Sequence, residues 1–256
     1  IAWHQLGKIY NKQGKYKESI SAFDFAIISD DQFVSAYIEK AKVLEKVKRY
    51  NEALENYRLS IELSEPNSFV YYRIAKCYIK INNKKLFIDF IKKSVREEPG
   101  NEKAWIFLIK YYLKNNNFRQ AKYLSSKALI NNHNSIKILR LNAIILKEIG
   151  DTREAIKFYN QILDFKENLS WKIWKGFLKC LIDNKEWSEL LRTSLKAKKH
   201  YPNKAFLDFI ISGCLLKNGK INEAIYFYQS GKKTCQVPEK LIKYFPEFNE
   251  NKTLLV

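Results

Sequence analysis

Lysines recur in this chain at an interval that could hold an anion. Lys8, Lys42, Lys76 and Lys110 stand 34 residues apart, and Lys12, Lys46, Lys80 and Lys114 repeat the interval four residues later. If each set falls at one position of successive helices, the two sets form parallel ladders of ammonium groups. Such a surface attracts carboxylates or phosphates in a salt-dependent way. The ladders break at Ile144 and Glu148 and return in part at Lys172, Lys175, Lys179 and Lys217, with Lys137 and Arg140 between. A Lys-rich chain puts lysine wherever solvent is, but with roughly a quarter to a third of exposed positions charged, eight lysines at eight periodic positions exceed that background.

Other chemistry finds little support. The histidines His4, His133 and His200 lie far apart; the latter two fall in polar breaks, and His4 is expected on the lysine-bearing face, where it could touch a ligand. Cys77, Cys180 and Cys214 share one apolar position with Ile9, Val43 and Ile145, so they read as core. No Cys-x-x-Cys pair, glycine-rich phosphate loop or paired carboxylates suggest a metal, a cofactor or a nucleophile with its base. The expectation is a chain that is not an enzyme and uses no cofactor.

Formal charge is +19 at pH 7, from 46 Lys and Arg against 27 Asp and Glu, which favours an anionic partner. Richness in Lys, Asn, Ile and Tyr also follows from an A+T-biased coding sequence, so the placement of the charges carries the argument. Only 8 Gly and 5 Pro occur, few for many tight turns, so long helices are expected. The most apolar stretch, Ala205 to Leu216, is interrupted by Asp208 and is too short to cross a membrane. Scattered cysteines hint at a cytoplasmic chain.

The elements that must position the lysines follow from the same period. Small residues align at Gly7, Ala41, Ala75 and Ala143; at Ala53, Ala121, Ala155 and Ala224; and at Ala26, Ser60, Ser94, Ala128 and Ala197. Rings align at Trp3, Tyr37, Tyr71, Trp105 and Trp174. Within each period, apolar residues recur at three- and four-residue steps in two runs separated by a polar break, the pattern of an antiparallel helix pair. Small columns let helices approach closely, and large columns fill the space beside them. The pattern predicts an all-α chain of stacked pairs.

Trp3-x-x-Leu6-Gly7-x-x-Tyr10, followed by Phe23, Ala26 and Asp31, resembles the tetratricopeptide repeat signature. That resemblance implies a right-handed superhelical solenoid of about seven repeats, beginning near residues 1, 34, 68, 102, 136, 171 and 205 and covering 1–236. Residues 237–256 are expected to form a short capping helix, Glu239 to Tyr244, and a tail. Entry into the first helix without an N-cap suggests that the array extends upstream. In this family the first helix of each repeat lines a concave groove. The implied partner-binding residues are Lys8, Lys12, Lys42, Lys46, Tyr72, Arg73, Lys76, Lys80, Lys110, Lys114, Arg140, Lys175, Lys179, Phe206 and Phe209. Of the family's clamp for chaperone tails only Arg73 matches, so that ligand is not expected.

The segment Phe206 to Leu216 is apolar on nearly every side, which implies a cover: either the chain's own Leu241, Ile242, Tyr244, Phe245 and Phe248, or a bound peptide. The function expected is a scaffold that binds a protein or peptide, acidic or amphipathic, in a basic groove. The alternatives are single-stranded nucleic-acid (RNA) binding along the lysine ladder, and a recruiting or regulatory arm of a larger enzyme or envelope complex.

Overall fold

The computed structural model describes residues 1–65, 67–165 and 169–250, with no strand among them. Fourteen helices follow one another along the described chain, joined two by two through a short turn: α1 (Ala2–Lys12) and α2 (Tyr16–Ser29), α3 (Val34–Lys46) and α4 (Tyr50–Glu62), α5 (Ser68–Lys80) and α6 (Lys84–Glu97), α7 (Glu102–Lys114) and α8 (Phe118–Asn131), α9 (Ile136–Glu148) and α10 (Thr152–Phe165), α11 (Trp171–Asp183) and α12 (Trp187–His200), α13 (Ala205–Lys217) and α14 (Ile221–Lys232). Two short helices close the described chain, α15 (Glu239–Ile242) and α16 (Glu247–Glu250).

The turn inside each pair is set by one residue with left-handed backbone: Gly14, Lys48, Asn82, Asn116, Gly150, Lys185 and Gly219, with φ between 56 and 86°. Glycine adopts that region freely, whereas a lysine there costs about 1–2 kcal/mol. The turn is closed by a backbone N–H reaching back over the end of the first helix. Lys15 donates to the Tyr10 carbonyl at 2.9 Å, Arg49 to Leu44 at 2.9 Å, Asp151 to Leu146 at 2.8 Å and Lys220 to Leu215 at 3.0 Å. This six-to-one bond satisfies a carbonyl that the helix end leaves free.

The chain divides into two compact units, residues 1–116 with 130–132 and residues 117–129 with 133–256. In the first, Phe23, Leu44, Tyr57, Ile74, Phe87 and Leu108 are fully buried. Gly7 is required where α1 meets α2, because a Cβ there would lie 2.8 Å from the Phe23 ring. Phe87 takes a position where the repeat usually has a small residue, and its ring packs against Phe107 and Tyr111.

In the second unit the core runs from Leu139 through Tyr159, Trp174 and Phe177 to Phe209 and Phe245. Asp208, in the ring column of α13, is buried and its carboxylate pairs with Lys198 of α12 at 2.6 Å. His200 ends α12 and stacks on Trp174, so it belongs to a helix rather than to the loop expected for it.

The cover expected over α13 is the chain's own C-terminal segment. Phe245 lies against Gly213 and the Trp187 ring, and Phe248 lies against Phe209 and Tyr228. Lys217 pairs with Glu247 at 3.0 Å, and Tyr244 donates its hydroxyl to Asp183 at 2.9 Å. The segment is two short helices rather than one reaching Tyr244, and residues 251–256 lie outside the described residues. This packing corrects one expectation: Phe209, expected at the partner-binding face, is fully buried beneath Phe248 and cannot meet a partner while the segment is docked.

Candidate functional site

In the first unit the periodic lysines are carried by α1, α3, α5 and α7, and cross-helix contacts tie these four helices along one face. Lys46 donates to the Asn11 side chain at 2.6 Å, Lys42 lies over the Phe69 ring, Arg73 pairs with Glu45 at 2.7 Å, and Tyr72 meets Phe107 edge-on. The two ladders differ physically. Lys12, Lys46, Lys80 and Lys114 each end a first helix, where a cation opposes the negative end of the helix dipole and stabilises by about 0.3–1 kcal/mol. That ladder has a structural reason for its spacing. Lys8, Lys42, Lys76 and Lys110 sit a turn earlier, where the dipole offers less.

Two members of the inner ladder are partly neutralised. Lys42 pairs with Glu39 at 2.6 Å, and Lys76 lies 3.6 Å from Glu45. Glu45 is the hub that periodicity does not show: its carboxylate also receives Arg73 and the Tyr57 hydroxyl at 2.7 Å. Burial and the neighbouring Glu45 hold the Tyr57 phenol far above its ordinary range, so it acts only as a neutral hydrogen-bonding group. Arg73, expected to meet a ligand, is therefore committed to Glu45 and Tyr57. Lys8, Lys12, Lys80, Lys110 and Lys114 have no ion pair among the described residues, and all but half-buried Lys8 are exposed. Phe69 is 43% exposed between Lys42 and Arg73, and Tyr72 is half-buried beside Lys76.

His4 is not available to a ligand. It is 7% exposed, its ring packs on Phe23 and Phe33, and its Nε2 lies 3.2 Å from the Ser35 hydroxyl. Burial, with Lys8 adding to it, lowers its pKa below the usual 6.5. Cys77, Cys180 and Cys214 are buried, and burial pushes their thiols up to about 12, 11 and 12. A thiol so placed is not a nucleophile near neutral pH. Among the described residues no group of three or more His, Cys, Asp or Glu could hold a metal ion, and no helix is long and apolar enough to cross a membrane.

In the second unit Arg140, Lys175 and Lys179 border a shallow depression of about 290 Å³ between α9 and α11. A larger cleft of about 770 Å³ lies between α11, α13 and the C-terminal segment, and Lys175, Lys179 and Phe206 line it. Trp171, Ile182 and Asp183 of α11 line it too, whereas Lys204, Pro238, Lys240 and Lys243 escape periodic reading because they fall in a loop or in the segment after α14, outside the repeating positions.

The tetratricopeptide repeat family model matches residues 1–27, 34–67 and 70–101. Among solved structures, the chain is similar to the C-terminal part of a tetratricopeptide repeat-containing protein from Cytophaga hutchinsonii, with 12% identity over 94% of this chain and 98% of that one and a TM-score of 0.72. It is similar to Pseudomonas aeruginosa PilF at 11% identity over 86% and 98%, TM-score 0.57. It is also similar to MamA from Desulfovibrio magneticus at 14% identity over 64% and 93%, TM-score 0.53. At these identities the likeness is one of fold. No curated protein matches the chain in sequence.

Proposed function

We propose that this chain, a member of the tetratricopeptide repeat family, is a non-catalytic scaffold that holds an acidic segment of a partner protein along the face of α1, α3, α5 and α7. The observation that carries the reading is the set of unpaired cations on that face: Lys8, Lys12, Lys80, Lys110 and Lys114 lack ion pairs among the described residues, beside the half-exposed ring of Phe69. Lysines on a shared trough with low-dielectric walls raise the local concentration of an anionic chain and speed its capture. Phe69 and Tyr72 supply apolar anchors, which such a trough needs for lifetime rather than encounter rate.

The test is binding of a fluorescent acidic peptide by anisotropy, comparing the native chain with one carrying Lys8→Glu, Lys80→Glu and Lys110→Glu. Reversal is expected to weaken binding by on the order of tenfold to a hundredfold and to flatten its salt dependence. Unchanged affinity removes the reading. Preferential binding of single-stranded RNA, lost in the same variant, replaces the protein partner with a nucleic acid.

A further inference from the structure

We propose that the cleft between α11, α13 and α15 is a binding site for a long-chain fatty-acid carboxylate. The cleft measures about 770 Å³, within the roughly 300–1,000 Å³ of small-ligand sites. Its floor is apolar: Trp171, Ile182, Phe206 and Leu241. Around it stand Lys175, Lys179, Lys204, Lys240 and Lys243, none of which is ion-paired among the described residues. Asp183 is the acidic residue of the lining, and its carboxylate already accepts the Tyr244 hydroxyl.

The polar side chains that face the space are thus almost all donors. An ammonium group donates and never accepts. An extended peptide brings a row of backbone N–H groups that need acceptors, and among the lining side chains only the Asp183 carboxylate and the Tyr244 hydroxyl oxygen can accept, so its burial would leave most of those groups unpaired. A carboxylate on an acyl chain brings only acceptors, and its tail matches the Trp171 and Phe206 rings, which meet edge-on at 6.2 Å. Charge complementarity and donor-acceptor balance therefore select an anionic amphiphile over a peptide. One wall, α15, belongs to the C-terminal segment that covers α13, so the site exists only while that segment is docked. The inference does not rest on the peptide reading, which concerns the other unit.

Trp171 in the floor supplies the readout. A bromine-labelled long-chain fatty acid, kept below its micelle concentration, is expected to quench tryptophan fluorescence saturably in the full chain. The saturable part is expected to vanish in Trp171→Phe and to need about tenfold more ligand in Lys179→Glu with Lys243→Glu. An alkylammonium of the same chain length should not compete. Quenching that survives in Trp171→Phe, equal competition by the alkylammonium, absence of saturable quenching, or displacement of the acid by an acidic peptide without an acyl chain would each overturn the proposal.

Discussion

Glu45 shows how much a single residue outside a pattern can decide. It stands on α3 between two lysine ladders, and its carboxylate gathers Arg73, Lys76 and Tyr57. Two cations expected on the partner-binding face are thereby partly neutralised. His4 makes a similar point with a sign that can be measured. Its imidazole faces Phe23, Phe33 and Ser35, with Lys8, Glu39 and the N-terminal amine as the nearby charges. Because its folded pKa lies below 6.5, the unfolded chain binds the proton more readily. Stability is therefore full above that value and falls as pH drops through it. Thermal melts between about pH 7.5 and 5.5 are expected to show a lower midpoint at the acid end, and His4→Phe, which keeps a ring there without a titrating group, should lessen the difference.

At the scale of elements, the C-terminal segment stands out from the repeats. α15 and α16 are each 4 residues long, too short to persist as isolated helices. Their docking rests on Leu241, Phe245 and Phe248, with Phe245 fitted over Gly213 because that residue has no side chain. Deleting a fully buried phenylalanine ring costs about 3–5 kcal/mol, more than so short a segment can spare. Phe245→Ala is expected to release it, seen as faster tryptic cleavage after Lys240 and Lys243, with fast amide exchange in α13 and unchanged exchange in α3 to α6. Unaltered cleavage would mean that Leu241 and Phe248 hold the segment without Phe245. The helix pairs themselves stand on local devices: Asn83 caps α6 by accepting from the Leu86 N–H at 3.1 Å, and Asn101 caps α7 by accepting from Ala104 at 3.1 Å.

Across the molecule, a formal charge of +19 sets a repulsive background that the ion pairs relieve only in part. Exposed charges are screened beyond about 10 Å at 0.1 M salt, so raising ionic strength should relieve self-repulsion more than it weakens the surface pairs. The melting midpoint is expected to rise, on the order of 2–4 °C, between low and physiological salt, whereas capture of an acidic peptide weakens over the same range. A midpoint that falls instead would show that pairs such as Arg73 with Glu45 outweigh the net charge.

Helix pairs were legible because what makes them is periodic and near in sequence. Three- and four-residue apolar steps form the helices, a left-handed residue such as Gly14 or Asn82 turns the chain, and small residues such as Ala41 and Ala75, both fully buried, let neighbouring helices close. The spacing of the lysine ladders was legible for the same reason, and one of the two, Lys12, Lys46, Lys80 and Lys114, stands at helix ends, where the helix dipole gives it a structural reason. Tertiary structure alone decided which cations remain free, that Phe209 is core, and that a cleft exists beside α15. Each depends on side chains meeting across distances that no period links, such as Tyr244 with Asp183, 61 residues apart. A repeat determines what each helix presents; only packing determines what is left uncovered.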